Sequence, residues 1–409
     1  MEILSKVNEI IVLAEVGIRP DEQSGRSKFF GMGPSSISFS GENLDKYYAA
    51  LLAAYSENKE VEKSYTPKTF ESRLIDCFRP IILQDSHASA NDVKQFIASL
   101  LSAPLKEFSV SREIFGIKVD NLNAPVKLGG FTVHSPTSHP ELIQSRRRFL
   151  DADDDDLWLG HEPSYLIEWR AHAREQAKAV AHADRQFEVF ENFLRFMLGI
   201  SSRFEVGVLN YQGLRRARAY VYSTDGAAGT SASNHGAFED LPICDPWLTN
   251  QNNGNQYAWC LTSLLSPNKF QQRLRLAIEW IGQAISEAAP QSSFLKAAIS
   301  LEIIFTHNEK SIINPSILSQ ISEGSALLLG SNVHERLHLE KEAKRLYSLR
   351  SSIVHSGNTH ISNSDRKKMI SLASSVARKL LICEELKQLA SVEQLYQLTK
   401  EAKYSCRAF

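Results

Sequence analysis

The sequence predicts an α+β protein: an N-terminal mixed α/β region with a small sheet, followed by a C-terminal all-α helical bundle. Three observations carry this. Short alternating runs punctuated by glycine crowd into residues 108–222, as half-buried strands do. From Pro267-Asn268 onward every periodic segment has helical spacing. The chain of 409 residues exceeds what one core ordinarily organises, so two or three domains are expected.

Taken in order, residues 1–40 are mixed, with Gly31, Gly33 and Pro34 among Ser35, Ser36 and Ser38 marking a loop. Leu44 to Tyr55 reads as a buried helix. Phe70 to Phe78 continues helical with an expected stop at Pro80, and Asn91 is the expected cap of a helix with Val93, Phe96, Ile97 and Leu100 on one face. Strands are expected at Phe108–Arg112, Ile114–Val119, Val126–Val133 and Tyr165–Trp169. A long helix then covers Arg174–Leu198, and strand-like runs follow at Phe204–Leu209 and Ala217–Tyr222. Residues 223–237, mostly small and polar, read as a mobile loop. In the C-terminal part, Phe270, Leu274, Ile278 and Ile281 stripe a first helix, and Phe294, Leu301 and Phe305 a second. Asn314-Pro315 opens a third. A fourth runs from about His334 to His355 with Gly357 as terminator, and Ser362 or Ser364 caps a fifth. The expected division is therefore an α+β region over 1–265, in one or two subdomains, a bundle over 268–390 and a helical extension over 391–409.

Composition narrows the function. The chain is 43% hydrophobic and 23% charged, ordinary for a soluble globular protein. Its net charge of −1 gives no global attraction to nucleic acid, so any RNA contact must be local. Five scattered cysteines without C-x-x-C pairing fit a reducing, cytoplasmic setting. The N-terminus is not a signal peptide, and no apolar run approaches about 18 residues, so no membrane partner is expected. No glycine-rich phosphate loop and no G-x-S-x-G occur, and no cofactor is expected.

The chemistry is concentrated in Leu346-Tyr347-Ser348-Leu349-Arg350-Ser351-Ser352-Ile353-Val354-His355-Ser356-Gly357. Arg350 supplies a fixed cation whose planar fork fits phosphate oxygens. His355 supplies a proton shuttle near neutral pH. A cation beside a proton shuttle is the minimum needed to break a phosphodiester without metal. Among the twelve histidines only His355 follows an arginine with four to six residues between. On an ideal helix the two lie about 140° apart, so they converge only if the last turn loosens or if a second copy supplies its own pair. The plainer alternative is an arginine paired with an acid and a histidine at a helix end. Glu302, an acid inside the apolar run Leu301–Phe305, needs a partner, either a structural ion pair or an orienting contact to Arg350 or His355. Ser351 either donates to a phosphate or faces solvent. Tyr347, one turn before Arg350, is core or dimer packing more readily than a base-stacking platform. Arg215, Arg216 and Arg218 beside Tyr211, Tyr220 and Tyr222 offer a weaker RNA-binding patch or a polar strand edge.

The block Leu-Tyr-x-x-Arg-Ser-x-Ile-Val-His-x-Gly resembles the HEPN superfamily, specifically its Apea-like branch, over about residues 268–390. The resemblance implies a small helical bundle that dimerises and, in active members, a metal-independent endoribonuclease. It also implies an antiviral-defence or toxin-type role, with a phage-derived trigger or partner protein. Arg350 and His355 are the matching positions. Many members carry Asn, Asp or His where this chain has Ser351, and Gly357 stands where some carry a tyrosine.

Two rivals compete. His334-Glu335-Arg336-Leu337-His338 spells H-E-x-x-H, which on a helix can hold zinc with Glu335 as base. Its start just after Gly330-Ser331-Asn332, and the charges that follow, favour a fortuitous exposed pair, with Glu342 the best third ligand. Asp153–Asp156 reads as a solvated charge run rather than a cation site, with Arg146–Arg148 nearby to neutralise it. The expectation is an endoribonuclease acting through Arg350 and His355. A non-catalytic dimerisation module is the main alternative and a zinc hydrolase the minor one.

Overall fold

The computed structural model describes residues 2–17, 26–119, 124–135, 138, 165–209, 219–222, 228–231, 239–307, 316–356, 361–405 and 407–409; at 219–222, 228–231, 355 and 356 only the backbone is described. The architecture is α+β, with a mixed N-terminal region and a helical C-terminal part. The chain divides into two compact units, Met1–Val110 with Arg170–Ala183, and Ser111–Trp169 with Asp184–Phe409.

The first unit contains α1 (Glu2–Leu13), β1 (Glu15–Val16), β2 (Ser27–Phe30), β3 (Ile37–Ser40), α2 (Gly41–Ser56), α3 (Lys59–Ser64), α4 (Pro67–Leu83) and α5 (Ala90–Ser102). Its sheet has the order β1-β3-β2, antiparallel throughout, with Ser38 between Glu15 and Phe29. Its core joins Val7, Phe39, Tyr47, Phe70, Phe78 and Phe96. Buried Glu71 is held by Lys28 Nζ, 2.6 Å from both carboxylate oxygens, and by the Tyr47 hydroxyl at 2.8 Å. A carboxylate taken out of water needs such partners.

Two helix boundaries differ from the expectation. α4 does not stop at Pro80 but runs on to Leu83. Pro80 stands in the last turn, where its missing N–H removes one hydrogen bond and leaves little helix to disrupt. α5 is capped by Ser89 rather than Asn91. Ser89 Oγ accepts from the Asp92 amide at 3.2 Å, and the Asp92 carboxylate accepts from the Ser89 amide at 2.8 Å. This reciprocal box satisfies two end donors, which a lone asparagine cannot.

β4 (Lys106–Glu113), β8 (Leu166–Ala173) and α6 (Gln176–Leu198) run from one unit into the other. The second unit adds β5 (Ile117–Lys118), β6 (Val126–Leu128), β7 (Phe131–His134), β9 (Ala219–Tyr222), β10 (Ala228–Ser231), β11 (Leu241–Pro242) and a short 3-10 turn at Pro246–Thr249. The largest sheet has the order β4-β8-β7-β6. β6 and β7 form a hairpin closed at Gly129-Gly130. Gly129 has φ +60°, and a Cβ there would lie 2.5 Å from the Trp259 carbonyl oxygen, so the close approach requires glycine. β10 pairs antiparallel with β9 inside the stretch expected to be loop. Ladder formation uses backbone groups, so low intrinsic strand preference does not forbid it. The converse error is Phe204–Leu209, which makes only isolated bridges, Phe115 with Gly207 and Phe204 with Glu239. The amides of Val208 and Leu209 are taken at 2.7 Å by the fully buried Glu191 carboxylate and cannot join a ladder.

The helical part begins with α7 (Asn255–Ser263). It continues through α8 (Lys269–Ser286), α9 (Pro290–Phe305), α10 (Ile317–Leu329), α11 (Val333–Ser356), α12 (Asn363–Ile382), α13 (Glu384–Lys387) and α14 (Val392–Ser405). Asn268 caps α8 in a box with Gln271, at the position where the sequence places the start of the bundle. Ser316 caps α10, whereas Asn314-Pro315 lies outside the described residues; Ser362 caps α12. α8, α9 and α12 pack on one another, α10 pairs with α11, and α14 rests on α9 and α10. Buried Ser293 ties α9 to α8 and α12. Its hydroxyl donates to the Ala284 carbonyl at 2.5 Å and accepts from Arg366 Nε at 2.8 Å. Among the described residues no helix is long and apolar enough to cross a membrane.

Candidate functional site

The site is built on α9 and α11. The apolar face of α9 buries Phe294, Ala298, Leu301 and Phe305, which fixes the helix in the bundle and leaves Glu302 at its edge. On α11, Leu346 is buried and anchors the helix, which aims its neighbour Tyr347 and, three residues on, Arg350 at the same edge. The three side chains meet there. The Tyr347 hydroxyl donates to Glu302 Oε1 at 3.0 Å, Arg350 Nη2 donates to Oε2 at 3.3 Å, and Arg350 Nε stands 2.9 Å from Oε1. The Nε contact is an ion pair with its N–H poorly aligned; the hydrogen bond proper is the one from Nη2. The guanidinium also lies over the Tyr347 ring, 5.7 Å from its centre.

Electrostatics follow from this geometry. Burial pushes the Tyr347 phenol up to about 12, and the adjacent Glu302 carboxylate pushes the same way, with Arg350 opposing. Tyr347 therefore serves as a fixed donor to Glu302 at neutral pH, not as a base. Arg350 and Glu302 keep about a quarter and a fifth of their side-chain surface exposed, so the pair is reachable from solvent. Among the described residues Nη1 of Arg350 makes no hydrogen bond.

Ser351 is exposed and lines a shallow surface groove with Leu318, Tyr347, Ser348 and Ser352. The backbone of His355 belongs to α11, which stays helical through Ser356, while Gly357 lies outside the described residues. Arg215, Arg216 and Arg218 lie outside them too, as do Arg146–Arg148 and Asp153–Asp156.

The H-E-x-x-H run has a different use. The Asn332 side chain accepts from the Glu335 amide at 3.0 Å, and the Glu335 carboxylate accepts from the Ser331 amide at 2.9 Å, so Glu335 caps the start of α11. His334 and His338 are exposed, and Glu342 is engaged by Arg345 and Lys368. No group of three or more His, Cys, Asp or Glu gathers as metal ligands among the described residues. The informative residue in the run is the one sequence reasoning passed over. Arg336 is buried and donates to the carbonyls of Gly330, Ala402 and Arg407. The visible signal was an arginine four residues after the cap Asn332 and six after Gly330, the glycine that ends α10.

No family model, curated protein or solved structure matches the chain.

Proposed function

We propose that the chain is a metal-independent endoribonuclease of the HEPN type, with Arg350 and His355 as its working pair. The observation that carries the reading is the state of Arg350. A carboxylate holds the guanidinium along its Nε–Nη2 edge, and Nη1 is left to meet a phosphate oxygen. A cation fixed before substrate arrives stabilises developing charge without reorganising at the moment of reaction. In the reaction the RNA 2′-hydroxyl loses its proton and attacks the adjacent phosphorus. The bond to the 5′-oxygen breaks and that oxygen takes up a proton, leaving a cyclic phosphate and a 5′-hydroxyl. His355 moves the protons and Arg350 neutralises the charge on the non-bridging oxygens. Glu302 is a positioning residue for Arg350, and Tyr347 for Glu302.

Because α11 remains helical through Ser356, the loosened last turn is not the route by which Arg350 and His355 meet. The reading therefore includes a two-fold dimer through the helical part, bringing two pairs to one groove. Residues 1–265 would sense a trigger or hold the RNA, and the biological setting would be a defence or toxin-type effector; both follow from family analogy. The test is incubation of the purified chain with total RNA in EDTA, beside Arg350→Ala and His355→Ala. Cutting that persists in EDTA and is lost in both variants supports the reading. Cutting that needs added Mg²⁺ or Zn²⁺ overturns it. The same helical continuity favours a second reading, a non-catalytic binding module, which predicts a dimer with no cleavage under any of these conditions.

A further inference from the structure

Away from Arg350, helices α9, α10 and α14 enclose a cavity of about 110 Å³ that opens to solvent at one end. One wall is His307, which is 5% exposed. Its position is fixed from several sides. The Gln320 amide grips its backbone twice, Oε1 accepting from the His307 amide at 3.1 Å and Nε2 donating to its carbonyl at 3.4 Å. Nδ1 lies 3.3 Å from the Phe305 carbonyl oxygen, which can only accept, a hydrogen bond in the tautomer with the proton on Nδ1. The ring lies 4.2 Å from the centre of the Tyr396 ring. Arg273 holds the chain leaving α9 by donating to the carbonyls of Ile303 and Thr306, each at 2.6 Å. The wall is thus preorganised. Phe305 forms another, pressed on α10 where a Cβ at Gly324 would come 2.5 Å from its ring.

Two exposed lysines line the cavity. Lys403 is neutralised by Glu323. Lys400, exposed on α14 and also lining the cavity, makes no ion pair among the described residues. Among the described residues the cavity therefore offers the rings of Phe305, His307 and Tyr396 beside polar Gln320 and Thr399, and one ammonium, that of Lys400, without a carboxylate partner. An enclosed apolar cavity of about 150 Å³ holds benzene, and this one, at about 110 Å³ but open to solvent, has room for one ring whose substituent projects outward, not for two fused rings.

We propose that this cavity binds a monocyclic aromatic carboxylate, its ring between Phe305, His307 and Tyr396 and its carboxylate on the Lys400 ammonium. Aromatic walls favour a ring over an aliphatic chain of equal size. The site is separate from the proposed nuclease pair, although Phe305 lies one turn beyond Glu302 on α9.

The experiment is a saturation-transfer NMR titration of the full chain with three probes: benzoate, its neutral isostere benzamide, and cyclohexanecarboxylate, which keeps the charge but not the flat ring. Benzoate is expected to bind saturably with a Kd of roughly 0.1–5 mM, as its few heavy atoms allow. Benzamide, which loses one exposed charge pair, should bind about two- to fivefold more weakly, and cyclohexanecarboxylate, which loses the flat ring, should also bind more weakly than benzoate. Lys400→Gln, a surface change expected to leave the melting temperature alone, should erase the preference for benzoate over benzamide. Absence of saturable benzoate binding up to about 20 mM would overturn the proposal. Equal affinity for benzoate and benzamide, or unchanged benzoate affinity in Lys400→Gln, would do the same. The readout is binding, so its failure leaves the nuclease reading standing and the reverse holds equally.

Discussion

Among the described residues Arg350 is held by a single carboxylate, so the proposed site should be sensitive to that contact out of proportion to its effect on stability. Both partners are partly exposed, so Glu302→Gln should cost only about 1 kcal/mol or less, since solvent relieves the stranded guanidinium. RNA cleavage should fall about tenfold or more, carried by kcat rather than KM, because the loss is in orientation. Equal kcat in the variant, measured with a fluorogenic RNA, would remove Glu302 from the site. Tyr347→Phe deletes one hydrogen bond to a charged acceptor and should cost roughly 1.5–3 kcal/mol, read as a lowered melting temperature. Beside the site, Glu342 is held at about 2 by Arg345, with Lys368 adding to the effect, and Asp365 is lowered by Ser362 and Arg345. The sign is that of a depressed carboxylate. The stabilisation is complete above the ordinary glutamate range and is lost as pH falls from about 4.5 toward 2. A melting curve against pH should drop in that window, and Glu342→Gln should flatten the drop. An identical acid slope in the variant would show that the cluster contributes nothing.

At the scale of elements, the start of α11 carries two sets of residues with opposite importance, although they interleave in sequence. Arg336 is 9% exposed and binds three carbonyls, from the α10–α11 turn, the last turn of α14 and the segment after it. Arg336→Ala leaves those acceptors without their donor, and a loss of about 3–5 kcal/mol is expected. Hydrogen exchange should show it as faster opening of α14. His334→Ala with His338→Ala removes two exposed rings and should leave zinc content, melting temperature and RNA cleavage unchanged. Stoichiometric zinc in the native chain, lost with activity in the double variant, would promote the metalloenzyme instead.

For the whole molecule, the proposed function turns on assembly. On α11, Leu346 and Tyr347 are spent inside their own chain, at 1% and 8% exposure, whereas Val354 remains 51% exposed near the proposed pair. That outward face is where a second copy would dock. Light scattering should report a dimer at micromolar concentration, and Val354→Asp should shift it to monomer and abolish cleavage without lowering the melting temperature. A native monomer with full cleavage would contradict the shared-groove reading. With a net charge of −1, the proposed RNA substrate would have to be drawn by local cations, and cleavage is then expected to depend on salt through few phosphate contacts.

Periodicity alone determined the α+β class, the helical run from Asn268 and the length of α11, because 3.6-residue and two-residue repeats are local properties of the chain. The sequence also singled out Glu302, as an acid in an apolar run, and Arg350 with Tyr347, through the spacing to His355. Only the tertiary structure decided that the three share one contact, since Glu302 is 48 residues before Arg350 and no spacing rule joins two helices. The same limit explains the misreadings. Glu191 takes the amides that Phe204–Leu209 needed for a strand, from 17 residues upstream of Val208. Arg336, bonding 66 residues ahead to Ala402, turns an apparent metal motif into a helix anchor. Such decisions belong to buried polar groups, whose unmet hydrogen bonds cost more than any local propensity supplies, and their partners exist only once the chain has closed on itself.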